Sequence, residues 1–202
     1  MDRVEPKMRI VLLVCALAVF GASGSMQVRS ADVWEKADRA VLRLAPSAFP
    51  TLPPIIKHDL ERRNCTVPQP DPGAIGPTPD RDRLHNVIHG HFRRGRQTDW
   101  AVVCSRNRVS TILVFWDGRA NNVSELEQLP DAGFLQGWGG DTIVFSRPIA
   151  VASEAHIRDY FRRDEAKPPV LEHAGIEDIF LGKASKVWYW HTGKWVYLTG
   201  AD

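Results

Sequence analysis

Residues 86–116 read NVIHGHFRRGRQTDWAVVCSRNRVSTILVFW, and their pattern sets the fold class. A strand-like run closes near Phe92, a polar turn carries Gly95, and Asp99 opens an apolar run through Cys104. A short turn at 106–109 leads to the next apolar run, 111–116. Val, Ile, Phe and Trp bounded by polar turns predict strands, and connections this short predict antiparallel pairing. An Asp at the start of a strand can accept hydrogen bonds from turn amides, and Gly95 can supply a positive φ. Further along, 142–146 predicts another strand, and 187–190 with 195–198 predict a hairpin around His191-Thr192-Gly193-Lys194. A two-residue Thr192-Gly193 turn opposes Trp190 to Trp195 and Trp188 to Tyr197; a glycine bulge at Gly193 shifts those partners.

Upstream the period changes. Trp34, Ala37, Val41 and Leu44 fall at helical spacing, which predicts a helix over 32–45 with Asp32 as N-cap and Pro46 and Pro50 as stops. A second helix is predicted from Pro53 to about Asn64, with prolines in its first turn and Arg62 and Arg63 in its last. Residues 66–80 hold five prolines and two glycines, the composition of an extended, irregular surface loop. Residues 155–163 predict a surface helix. The expectation is one α+β domain over 25–202: a helical segment at 32–64, the proline-rich loop at 66–80 and a β-rich body at 84–202. In it two N-terminal helices pack on a mainly antiparallel sheet of five to seven strands.

At the N-terminus Lys7 and Arg9 precede an apolar run of 11 residues from Ile10 to Phe20, followed by Gly21, Ala22, Ser23, Gly24 and Ser25. Basic, apolar and small-residue regions in that order predict a signal peptide over residues 1–24, cleaved after Gly24 or Ser25. A membrane span needs roughly 20 apolar residues. The reading therefore places the mature chain outside the cytoplasm, secreted or periplasmic, with no stable membrane span after cleavage. Loss of residues 1–24 takes one unit from the whole-chain formal charge of +2, and such a near-neutral balance argues against a general nucleic-acid binder. Beyond Cys15 only Cys65 and Cys104 remain, in no metal-ligand spacing. In an oxidising compartment they predict one disulfide, which closes a loop of about 40 residues and contributes roughly 4 kcal/mol on the chain-entropy model.

Gly90-x-Phe92, a polar turn and Asp99-Trp100-Ala101-Val102 resemble an FG-GAP/VCBS-type unit, in which a strand, an Asp-rich turn and an apolar strand repeat around a β-propeller. Here the turn reads Arg93-Arg94-Gly95-Arg96-Gln97-Thr98, and three arginines repel the calcium ion that the family's turn holds. One copy is visible where a propeller needs several blades. More broadly, Cys65-x-x-Pro68-Gln69, Gln97-Thr98-Asp99-Trp100-Ala101-Val102 and the terminal Gly193-Lys194-Trp195…Gly200-Ala201-Asp202 are similar to secreted bacterial proteins with no assigned activity. That resemblance implies export and brings no catalytic residues or cofactor with it.

The sequence carries no GxSxG, HExxH, P-loop or GxGxxG motif, so catalytic residues are not identified and no cofactor is implied. His89 and His91, with His85 upstream, fall on one face of an extended strand, where a Zn or Cu site is one reading and solvent-facing histidines the other. Trp188, Trp190, Trp195 and Tyr197 concentrate aromatic area on the C-terminal hairpin, either as a platform for a glycan or protein partner or as the closure of a sheet core. Arg93, Arg94 and Arg96 form a basic cluster, read as an anion site or as a solvated turn. Asn64-Cys65-Thr66 and Asn122-Val123-Ser124 fit the glycosylation sequon. Three functions follow: an exported non-enzymatic module that binds a protein or glycan in the cell envelope, a hydrolase or metal-dependent enzyme centred on the His89/His91 strand, or a structural envelope component.

Overall fold

The structure is a computed structural model that describes residues 23–161 and 170–199. The predicted signal segment thus lies outside the described residues except for Ser23 and Gly24. In chain order the elements are α1 (Ser23–Ala40), β1 (Arg43–Leu44), α2 (Pro54–Arg62), β2 (Val67–Pro68), the single turn α3 (Pro72–Ile75), β3 (Val87–Gly90), β4 (Asp99–Arg106), β5 (Val109–Phe115) and β6 (Val123–Pro130). There follow β7 (Leu135–Gly137), β8 (Ile143–Phe145), β9 (Ile149–Ala152), α4 (Glu154–Phe161), β10 (Gly175–Phe180), β11 (Ala184–His191) and β12 (Lys194–Thr199). Helices are thus combined with antiparallel sheets and one disulfide, Cys65–Cys104.

The strands form two four-stranded sheets, β3-β4-β5-β6 and β12-β11-β10-β9, with two-stranded pairs β1-β2 and β7-β8. The expected single sheet of five to seven strands is thus divided in two. The reason lies in the apolar runs of β4 and β5, which are buried on both faces. One face (Val102, Cys104, Leu113, Phe115) packs beneath Leu52, Ile56 and Leu60 of the α2 region. The other (Ala101, Val103, Ile112, Val114) meets Ile149, Ile176 and the hairpin tryptophans of the second sheet. The second sheet's far face, through Val187 and Tyr189, is covered by Ile157 of α4 and by Leu171. Each such fully buried aliphatic or aromatic side chain contributes about 1.5–3 kcal/mol of transfer free energy.

The N-terminal region departs from a simple pair of helices on a sheet. α1 ends at Ala40 and contains Asp32, so Asp32 is not its cap. Residues 43–44 leave the helical pattern because they pair with Val67–Pro68. α2 stops where Asn64 takes a left-handed φ of 56° and the Cys65 amide donates to the Leu60 carbonyl. α1 is held from below by charge: Arg43 bridges Asp38 (2.8 Å) and the buried Asp131 (2.9 Å), and Arg108 reaches Asp38 at 3.0 Å. The proline-rich segment is not uniformly irregular, since it holds β2 and α3.

The hairpin takes the two-residue turn. Thr192 (φ 47°) and Gly193 (φ 86°) both lie in the left-handed region, and Trp190 opposes Trp195 while Trp188 opposes Tyr197. Asp99 does what its place at the start of β4 suggests. Buried, it accepts from the Phe92 amide (3.0 Å), the Gln97 side chain and the Asp117 amide (2.9 Å), so one carboxylate fixes two turns.

Candidate functional site: a clamped ridge between two grooves

The proline-rich segment and the chain after it build a wall shared by two concavities. Pro70 and Pro72 restrict the backbone, and the segment is tied in from both sides. The Gln69 amide donates to the Leu42 carbonyl and the Asp71 amide to the Phe145 carbonyl, both at 2.8 Å. The buried Gln69 side chain then clamps His85, accepting from its amide at 2.8 Å and donating to its carbonyl at 3.0 Å.

Asn86 completes the fastening. It is fully buried, sits at φ 70°, and donates through Nδ2 to the carbonyls of Pro68 (2.6 Å) and Arg147 (2.9 Å), while Oδ1 accepts from the Ile149 amide (2.9 Å). One side chain thereby joins the proline segment, β3 and the start of β9. Arg147 is held in turn by a buried, two-pronged pair with Asp178 (2.8 and 2.7 Å), a bond to Ser110 Oγ (2.9 Å) and the Phe134 ring 4.1 Å away. A backbone fixed by this many buried bonds loses little entropy when a ligand arrives.

Between these fastenings Arg83, Leu84 and His85 form a ridge with a groove on each side. The first groove, of about 410 Å³, lies between the end of α1 and β8, with Ala40, Val41, Pro70 and Phe145 as apolar lining and Asp71 and Arg81 among its polar residues. The second, of about 460 Å³, runs over the seam where β3 and β9 lie side by side, past Ile75, Val87, Ile149 and Val151. Both volumes lie in the range of ordinary ligand sites. Leu84, on the ridge between them, is 47% exposed. Arg83 pairs with Asp80 at 2.6 Å, and His85 Nε2 lies 3.0 Å from the Asp80 carbonyl oxygen, which stiffens the ridge from its outer side.

The histidines singled out by the sequence have separate surroundings. His89 is exposed and its ring lies 4.8 Å from that of Trp100. His91 lies beyond the end of β3, with Nδ1 against the Gln97 carbonyl. His85 is detached from the strand's alternation by the left-handed Asn86. Among the described residues no group of three or more His, Cys, Asp or Glu side chains could hold a metal ion. The rings of Trp188, Trp190 and Trp195 pack against the core between the sheets, with Trp195 stacked on Trp116 at 5.3 Å, while Tyr197 is 67% exposed. Cys65 and Cys104 are bridged and buried beneath α2.

Sequence reasoning missed Gln69, Leu84 and Asn86, and it missed a second cluster. His156 of α4 lies 2.8 Å from Glu177 of β10, whose other oxygen accepts from Ser185 Oγ of β11 at 2.6 Å. Only the packing of α4 on the sheet brings these three together, and no spacing in the sequence announces it. Among the described residues no helix is long and apolar enough to cross a membrane. No family model, curated protein or solved structure matches this chain.

Proposed function

We propose that this chain is an exported, non-enzymatic binding module that takes an extended segment of a protein partner across the ridge at Arg83–His85. In this reading residues 1–24 are a signal peptide, the mature chain works in the periplasm or outside the cell, and the buried disulfide suits an oxidising compartment. The observation that carries the proposal is the pair of grooves sharing one clamped wall. Their apolar linings accept side chains, and rim groups of both signs (Asp71, Arg81, Arg83) suit the mixed polarity of a polypeptide. Among the described residues, Phe145 is the single Phe, Tyr or Trp lining the first groove and the second has none, so neither presents the broad ring platforms that sugar faces stack upon.

The test is a peptide-display selection against the protein, with Leu84→Asp and Ala40→Trp as counter-targets. Leu84 and Ala40 are exposed, so both variants should fold while one charges the ridge and the other fills the first groove. Selected peptides should lose at least tenfold in affinity, about 1.4 kcal/mol, for both variants. Peptides that bind both variants as tightly as the parent would refute the proposal.

A second reading, an unrecognised hydrolase, draws support from the buried Glu177 beside His156, because a carboxylate that orients an imidazole is half of a general-base arrangement. It moves the enzymatic hypothesis away from His89 and His91. Hydrolysis of ester or glycoside substrates that His156→Gln abolishes would establish it. The remaining reading, a structural envelope component, predicts no selectable ligand at all.

A further inference from the structure

The turn between β3 and β4 presents Arg93, Arg94 and Arg96, and among the described residues no carboxylate pairs with any of them. Of the arginines elsewhere whose side chains are described, Arg43, Arg63, Arg83, Arg108 and Arg147 each hold a carboxylate, and those without one, Arg81 and Arg106, are single residues rather than a cluster of three. Two acids packed at the turn are already engaged. Asp99 is buried and accepts three hydrogen bonds, and Asp117 pairs with Arg119 at 3.0 Å. Screening over about 8–10 Å keeps distant acids from cancelling this local charge, whatever the net charge of the chain.

The turn is also built rather than loose. Phe92 is fully buried, Asp99 holds its amide, and His91 Nδ1 lies against the Gln97 carbonyl. The His91 carbonyl accepts from the Ala174 amide (3.0 Å), which ties the base of the turn to the second sheet. Arg93 is positioned by two indoles, with its guanidinium 5.6 Å from the Trp116 ring centre and 5.6 Å from that of Trp190. Arg94 and Arg96 are exposed on either side of Gly95.

We propose that this turn is a recognition surface for a polyanionic glycan, a saccharide chain bearing carboxylate or sulfate groups, separate from the grooves and independent of what fills them. Guanidinium forks match such oxyanions with two parallel hydrogen bonds, and the half-buried indoles of Trp190 and Trp195 lie beside them. A membrane surface fits less well, because none of the exposed large apolar side chains belongs to residues 91–98 and the turn has nothing to insert. Duplex nucleic acid carries a phosphate charge about every 1.7 Å of its axis and calls for a longer basic track than one turn.

The test is titration of the protein with a heparin oligosaccharide and with oligogalacturonate, beside phosphatidylglycerol vesicles and single-stranded DNA, for the parent, the Arg94→Ser/Arg96→Ser double variant and Ala40→Trp. The expected result is saccharide binding that weakens at least tenfold in the double variant, falls with added salt and is unchanged in Ala40→Trp. An unchanged melting temperature excludes misfolding as the cause. No binding of either saccharide, or equal binding by the double variant, overturns the proposal. So does binding of vesicles or DNA that is as tight and equally sensitive to the double substitution. Because Ala40→Trp disables only the groove, failure here leaves the peptide-binding proposal standing, and the reverse also holds.

Discussion

Replacing Arg147 by Met should be among the most damaging single substitutions in this protein. Its side chain is fully buried and binds both Asp178 oxygens, Ser110 and the face of Phe134. With charge centres about 4 Å apart and an effective dielectric near 20, the attraction is about 4 kcal/mol. Desolvation of the two ions offsets most of that gain, so the intact pair adds little over an apolar pair of similar size. Removing one partner is a different matter, because Asp178 is then left charged in the interior. Arg147→Met should therefore cost about 3–5 kcal/mol, and Asp178→Leu a similar amount. The double variant should recover a large share, with a coupling of about 2–3 kcal/mol. Because the Arg147 carbonyl is also a fastening point for Asn86, the single variants should loosen the second groove as well. Urea unfolding of the parent, both singles and the double measures all four corners. Single losses below about 1 kcal/mol, or a double loss equal to the sum of the singles, would refute the reasoning.

The remaining predictions concern the scaffold. Cys65→Ala with Cys104→Ala should cost roughly 4 kcal/mol, the closure entropy of a loop whose ends are 39 residues apart, read as a lower urea midpoint; a loss under about 1 kcal/mol would contradict it. Burial pushes the Asp59 carboxyl up, but hydrogen bonds from Arg63 (2.6 Å) and Arg62 outweigh it and hold its pKa below the usual value. Its stabilisation is therefore complete above the ordinary carboxylate range and is lost as pH falls through the depressed folded value. Asp59→Asn should cost about 1–3 kcal/mol at neutral pH and progressively less as pH falls below the ordinary carboxylate range, by urea unfolding across that range; a pH-independent difference would contradict this. Burial holds the Tyr189 phenol above its ordinary range, so its contribution persists below about pH 10 and fades as pH rises through the folded value; an alkaline melting profile that Tyr189→Phe leaves unchanged would contradict it. Gly175→Ala would place a methyl 2.5 Å from Val187 Cγ1 and 3.0 Å from the Trp188 carbonyl oxygen. It should destabilise by about 1–3 kcal/mol in thermal unfolding, and a neutral result would show that β11 can shift.

The strands that sequence reasoning located, β3, β4, β5, β8, β11 and β12, carry Val, Ile, Phe, Trp or Tyr between polar turns, whereas the short apolar β9, which follows Pro148 directly, was not separated from β8. β6 escaped because Glu125, Glu127 and Gln128 interrupt it and because it breaks register against β5 between Ser110 and Ile112. β10 escaped because Glu177 and Asp178 sit in its middle. Both acids are buried, and their partners, His156, Ser185 and Arg147, come from elsewhere in the chain. Division into two sheets was equally out of reach, since it depends on which face of β4 meets the hairpin tryptophans. At the candidate site the prolines announced only an extended, irregular surface loop. What makes it a groove wall is the clamp of Gln69 on His85 and of Asn86 on Pro68, Arg147 and Ile149, long-range bonds that no local pattern encodes.

The central claim, that a ligand lies across the Arg83–His85 ridge, is tested most directly by amide-shift mapping of the isotopically labelled protein titrated with a display-selected peptide. The account predicts that shifts concentrate at Val41, Asp71, Leu84, His85 and Val151, on both sides of the ridge, and that they vanish in Leu84→Asp. Shifts confined to the hairpin at 188–197 or to the His156–Glu177 cluster, with the ridge unmoved, would contradict it.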